Sequence, residues 1–287
     1  MIKNNLNEKS NDKSECLQIL KKDPTNYDAL LKLGLINIKD KNYSYAKEKF
    51  KKLIKLKKKK YEAYLNLSNL YFLEGDAIKA NNILKNYLNN IGRSVEIINA
   101  LAINFLNSND FKNLEIHIEK FINNCQSYIL YYLKGFLLLQ ADRTYESESF
   151  FEKSMRLRVD FWNNYDLLLQ LYERQSRLDD FENLIKNAKK IFKNNIKLSY
   201  YESLYFFRRK NYRASLNILI NEENKKKFMS FKKDSDLADY FHILSRVYEK
   251  LGIYDKSYKL ALERNNTILN FNENKKLKKE VVLDTIT

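Results

Sequence analysis

The chain has 287 residues, a net charge of +16, 44% hydrophobic residues and 31% charged residues, which excludes wholesale disorder. Five glycines and one proline are too few to punctuate a sandwich, a barrel or a doubly wound sheet, and they leave no Gly-rich loop to cradle a nucleotide. What remains is an all-α protein whose turns are made by Asn, Asp and Lys.

Two cysteines, Cys16 and Cys125, cannot form a disulfide framework and fit a reducing compartment. No apolar run approaches the ~18 residues of a membrane span, and the start, MIKNNLNEKSNDKSE, has no signal-peptide core. A cytoplasmic chain with no membrane span is expected. The charge has a bland source. The chain contains 41 Lys against 11 Arg, with 36 Asn. Lys, Asn, Ile, Tyr and Phe share AT-rich codons, whereas nucleic-acid sites prefer Arg where bidentate or stacked contacts matter.

In chain order, residues 1–11 are polar and expected to be disordered. Residues 12–26 read as a cap helix with Cys16 and Ile19 facing inward. From there the sequence repeats every 33 or 34 residues, with units starting at 27, 61, 95, 128, 162 and 196 and a seventh near 238. Column four reads Leu30, Tyr64, Ile98, Tyr131, Tyr165, Ser199, Phe241, and column eleven Asn37, Tyr71, Phe105, Leu138, Tyr172, Phe206, Tyr248. Column eight is mostly small (Gly34, Ser68, Ala102, Gly135, Leu169, Ser203, Ser245), as is column twenty (Ala46, Ala80, Leu114, Ser147, Phe181, Ser215, Ser257). Column twenty-four is apolar throughout, from Phe50 to Ala261. Two antiparallel helices per unit approach closely where side chains are small, and large residues on either side fill the space.

This pattern resembles the tetratricopeptide repeat over about residues 12–271, most clearly in Pro24-Thr-Asn-Tyr-Asp-Ala-Leu-Leu-Lys-Leu-Gly34. Lys134 and Glu202 depart from it, standing where column seven expects Leu. The resemblance implies a right-handed superhelical solenoid of antiparallel helix pairs. The stretch 221–237, carrying Lys225, Lys226, Lys227, Lys232 and Lys233, interrupts the period as a loop or an extended helix end, and 272–287 is a polar tail.

No chemistry for catalysis gathers. His117 and His242 fall in different repeats, Cys125 has no Cys-x-x-Cys or His partner, and Asp179 and Asp180 sit where a helix start explains them. No cluster has the ligand spacing of a metal site, so neither enzyme activity nor a cofactor is expected.

The resemblance places partner binding on a concave groove made by first helices, at columns two, five, nine and twelve. Repeats three and four put Ile103, Leu106, Ile129, Tyr132, Phe136 and Leu139 there, an apolar stripe suited to an amphipathic helix, an apolar peptide or self-association. Repeats five and six turn polar, with Asp166, Gln170, Glu173, Lys197, Tyr200, Leu204 and Arg208. Leu31 and Leu35 occupy the places where relatives that clamp a C-terminal carboxylate carry Lys and Asn.

Residues 47–60 hold nine Lys and one Glu, among them the candidate patch Lys51, Lys52, Lys55, Lys57, Lys58, Lys59 and Lys60. Lysines near a helix C-terminus are favoured by its dipole without any ligand. A patch without interleaved Arg and aromatics would bind acidic protein, anionic lipid or RNA phosphate unspecifically.

The end of the chain, Ala261-Leu-Glu-Arg-Asn-Asn-Thr-Ile-Leu-Asn-Phe-Asn272 with Val281-Val-Leu-Asp-Thr-Ile286, is similar to the segment joining tetratricopeptide repeats to a sulfotransferase domain in some bacterial proteins. The expectation is therefore a non-enzymatic scaffold that binds a protein or peptide. The rivals are the recognition half of a sulfotransferase or glycosyltransferase system, and an RNA-binding helical repeat protein. The last would need a base-reading pair at fixed columns, and columns two and five carry no such code.

Overall fold

The computed structural model describes residues 2–57, 59–230 and 234–275; among these the chain is all α, with no strand. The helix α1 (Ile2–Lys22) comes first. First helices of repeats follow as α2 (Tyr27–Lys39), α4 (Tyr61–Leu73), α6 (Val95–Asn107), α8 (Tyr128–Gln140), α10 (Trp162–Arg174) and α12 (Ile196–Arg208). Each starts on the residue at which the sequence period starts. Their partners are α3 (Tyr43–Leu56), α5 (Ala77–Asn90), α7 (Phe111–Phe121), α9 (Thr144–Leu157), α11 (Leu178–Ile191) and α13 (Tyr212–Ile220). The series ends with α14 (Glu222–Met229), α15 (Asp234–Lys250) and α16 (Tyr254–Lys275).

The turn inside each pair explains how so few glycines suffice. Column fifteen adopts a left-handed backbone in all seven repeats: Lys41, Gly75, Asn109, Asp142, Ser176, Lys210 and Gly252, with φ between 55° and 83°. The next amide donates back to the column-eleven carbonyl, as from Asn42 to Asn37 at 2.8 Å, Asp110 to Phe105 at 2.8 Å and Ile253 to Tyr248 at 2.9 Å. This six-to-one bond is the Schellman closure of a helix C-terminus. The residue that makes it also caps the second helix. Asn42, Asp76, Asp110 and Asn211 each accept from the amide three residues on. Arg177 cannot cap in this way. Its guanidinium instead bonds Asp180 in the first turn of α11 at 2.7 Å and Glu148 of α9 at 2.7 Å, lying over the Tyr172 ring.

Columns eight and twenty do meet. Ser68 Oγ donates to the Ala80 carbonyl at 3.0 Å, and Ser245 Oγ to the Ser257 carbonyl at 2.9 Å. At Gly34 a Cβ would stand 2.6 Å from the Phe50 ring, and at Gly135 it would stand 2.8 Å from the Phe151 ring. The fifth repeat solves the crossing differently: Leu169 and Phe181, both fully buried, occupy the two columns. The charged residues at column seven are tied to the preceding helix, Lys134 to Glu119 and Glu202 to Lys189 at 2.5 Å.

The chain divides into two compact units that abut in sequence within α8, between Lys134 and Gly135. In the first, Tyr27, Leu30, Phe50, Leu53, Leu67 and Leu70 form a core with Ala46 and Ala63. In the second, Leu219, Phe228, Tyr240, Phe241, Ile243, Leu244 and Val247 form another, with the Phe228 and Tyr240 rings stacked at 4.5 Å.

Several expectations change. The helix α1 takes in residues 2–11, which the sequence reading left unstructured. Cys16 is buried as expected, but Ile19 is 38% exposed, because α1 offers only a narrow face to α2. The stretch after α13 contains a full helix, α14, started by Asn221, whose side chain accepts from the Glu223 and Asn224 amides. The helix α15 begins at Asp234, four residues ahead of the expected frame, and α16 continues to Lys275. The tail expected at 272–287 lies outside the described residues beyond Lys275, as do Lys232 and Lys233.

Candidate functional site

The second unit contains a cavity of about 250 Å³ between α10, α12 and α15. Gln170, Glu173 and Arg174 come from α10, Lys197, Tyr200, Tyr201 and Leu204 from α12, and Asp236 and Asp239 from α15. Spacing explains the grouping. Residues 170, 173 and 174, and likewise 197, 200, 201 and 204, recur at three and four, so each set lines one side of its helix.

Most charges in the wall are already matched. Lys197 pairs with Asp236 at 3.2 Å and Asp166 at 3.7 Å. Arg208 Nε donates to Glu173 at 2.7 Å, and the Tyr201 hydroxyl to Asp166 at 2.6 Å. Burial, then the Asp166 charge, pushes the Tyr201 hydroxyl well above the ordinary phenol range, and burial does the same for Tyr200. Both stay protonated as hydrogen-bond donors. Asp239 and Arg174 have no ion-pair partner among the described residues. Surrounding protein and then the neighbouring Asp236 push the Asp239 carboxyl above its usual range, although Asp239, like Arg174, is an exposed residue. An unmatched carboxylate, an unmatched guanidinium and a free Tyr200 hydroxyl therefore share one small polar cavity.

All seven residues predicted in repeats five and six fall here: Gln170, Glu173, Lys197, Tyr200 and Leu204 in the wall, with Arg208 beside it on Glu173 and Asp166 on Lys197 and Tyr201. The sequence reading missed Arg174, Tyr201, Asp236 and Asp239. Asp239 carried a signal, since it is column two of the seventh repeat; Asp236 precedes that frame and gave none.

The apolar stripe divides between the units. Ile103, Leu106, Ile129 and Tyr132 lie in the first and Phe136 and Leu139 in the second, every one of them half-buried. In the basic segment, Lys51, Lys55 and Lys59 are exposed, Lys52 donates to the Pro24 carbonyl at 2.9 Å, and Lys57 and Lys60 stand over the Tyr27 ring at 5.4 and 5.6 Å. Lys58 lies outside the described residues.

The histidines and cysteines have structural surroundings. His117 is 6% exposed, holds the Ile98 carbonyl through Nε2 at 2.9 Å and sits between Phe105 and Phe121. Burial lowers its pKa, so the ring is neutral. Cys16 and Cys125 are buried free thiols pushed upward by that burial. Among the described residues no cluster of His, Cys, Asp or Glu could hold a metal ion, and no helix is long and apolar enough to cross a membrane.

Solved structures share the fold. A tetratricopeptide repeat protein from Parabacteroides merdae matches with a TM-score of 0.57 at 13% identity, over 84% of this chain and 93% of that one. A chain of the APC/C hetero-tetramer Cut9–Hcn1 matches with a TM-score of 0.61 at 12% identity, over 84% of this chain and 46% of the other. No protein-family model and no curated protein matches the sequence.

Proposed function

We propose that this chain, which has the tetratricopeptide-repeat fold, is a non-enzymatic protein-interaction module that holds a polar segment of a partner protein at the cavity between α10, α12 and α15. The observation that carries this reading is the unmatched pair Asp239 and Arg174 beside Tyr200, in a wall whose other charges are internally compensated. Asp239 and Arg174 are both exposed and solvated, so each can take up an opposite charge of a partner without first giving up an ion pair within this chain. At about 250 Å³ the cavity takes one or two side chains, less than the ~300–1,000 Å³ that enclose a drug-sized molecule or cofactor. A lysine or arginine side chain, or a terminal amine, would answer Asp239. A backbone carbonyl or a carboxylate would answer Arg174 and the Tyr200 hydroxyl.

The half-buried apolar residues Ile103, Leu106, Ile129 and Tyr132 in the first unit, and Phe136 and Leu139 in the second, are proposed as further contact surface for the same partner or for a second copy.

The test is a quantitative pull-down from the native source with wild type, Tyr200→Ala and Asp239→Arg, each checked by thermal melting. Proteins retained by wild type and lost on both variants, at unchanged folding, support the site. An identical retained set across all three removes it.

A further inference from the structure

The interruption after the sixth repeat creates a second cleft in the second unit that shares no residue with the polar cavity. In the regular repeats a second helix is followed directly by the next first helix. Here α14 stands between α13 and α15, and a cleft of about 520 Å³ opens beside α16. Its floor is apolar: Phe241, Leu244 and Tyr248 of α15 at spacings of three and four, with Leu260 of α16. Ile220 and Met229, at the ends of α13 and α14, flank this floor and are 42% and 52% exposed, so with the floor they extend one apolar lining. The rim is basic. Lys225 of α14 and Lys256 and Lys259 of α16 border the cleft against a single carboxylate, Glu263. No ion pair among the described residues takes up Lys225, Lys256 or Lys259, and Lys256 lies 5.4 Å from the Tyr248 ring centre.

We infer that this cleft docks an acidic amphipathic helix of a partner protein, its apolar stripe on Phe241, Leu244, Tyr248 and Leu260 and its carboxylates toward Lys225, Lys256 and Lys259. Length supports a helix. The floor on α15 runs from 241 to 248 and the facing residues on α16 from 256 to 263, two turns each or about 10 Å, the span of an i, i+3 or i+4, i+7 stripe. Charge decides the sign of the partner. A second copy of this chain brings a further +16 and meets repulsion at a rim of three lysines, whereas an acidic helix is steered in. Met229 adds an adaptable thioether at the entrance.

The experiment is a display selection of random 14-residue peptides on the folded protein, counter-selected on Met229→Glu, followed by fluorescence anisotropy on the survivors. Met229 and Lys256 are exposed, so Met229→Glu and the double variant Lys256→Glu/Lys259→Glu should melt like wild type. The expected survivors carry apolar residues at helical spacing flanked by Asp and Glu. They lose at least tenfold in affinity on the charge-reversed double variant, weaken as salt is raised, and keep their affinity on Asp239→Arg. Enrichment of basic peptides, no cleft-dependent survivor, or indifference to charge reversal would overturn the inference. So would a wild-type dimer in sedimentation equilibrium that Met229→Glu dissociates, which would give the cleft to a second copy.

Discussion

Gly135 stands where α8 crosses both a side chain and the backbone of α9. A Cβ there would lie 2.8 and 2.9 Å from two carbons of the Phe151 ring and 3.1 Å from the Ser147 carbonyl oxygen. Ordinary carbon contacts begin near ~3.5 Å. The ring could tilt, but the carbonyl belongs to the α9 backbone, so α9 itself must move. Against that, alanine gains ~1 kcal/mol over glycine in a helix interior. Overpacking a tight core costs ~1–3 kcal/mol, so Gly135→Ala should lose about 1 kcal/mol net and Gly135→Leu about 3. At ~2–4 °C per kcal/mol for a body of this size, Gly135→Ala should melt roughly 2–4 °C below wild type. Phe151→Leu in the same chain removes the ring atoms that collide, so a double-mutant cycle should show a favourable coupling of about 1 kcal/mol. Gly92→Ala is the control, because nothing lies within 4 Å of its Cβ position and no change is expected. If Gly135→Ala instead raises the melting point, or the double mutant is strictly additive, α8 and α9 do not cross at this residue.

Lys210→Gly should stabilise by ~0.5–1 kcal/mol in thermal melting, since Lys210 holds φ +60° and a side chain in that region costs ~1–2 kcal/mol before the entropy of glycine is counted. Asp239→Asn should melt above wild type at pH 7, with the gap closing on acidification. The folded carboxyl has a raised pKa and binds more protons than the unfolded one, so stability falls as pH rises through that window. Melting curves between pH 4 and 7 check the sign. For His117 the folded pKa is lowered, so the unfolded chain takes up the proton first. Stability should drop as pH falls below the ordinary ~6.5, and His117→Gln should remove that part of the pH dependence. The exposed lysines of residues 51–60 should give only weak RNA binding that collapses by ~0.2 M salt in a filter-binding titration; tight, sequence-selective binding at that salt would contradict an unspecific patch.

The period was legible because helix packing writes itself into fixed columns. Six first helices start on their frame residues, and the small residues of columns eight and twenty meet. The turns were legible in composition but not in position. A left-handed residue is held by the Schellman bonds around it, so Lys41 or Ser176 can occupy a place that sequence alone would give to glycine. Leu169 with Phe181 shows the same trade in the core, since a larger residue on one column is absorbed by the shape of its partner. The polar cavity was half legible. Gln170, Tyr200 and Leu204 sit on regular columns, whereas Asp236 arrives through an irregular helix start that no column predicts. Arg174 and Tyr201 were passed over because they stand one place off those columns, and helix spacings of three and four still bring them into the wall.

Whether a partner protein enters the cavity at Tyr200 is tested most directly by photocrosslinking in the native source. A photoreactive phenylalanine derivative is placed at position 200, with a second version at Tyr145, which is 83% exposed and outside the cavity, as the control. One discrete adduct at position 200, mapped to a polar segment carrying Lys, Arg or a terminus and absent at position 145, is the predicted result. No adduct at position 200, or the same adducts at both positions, would contradict it.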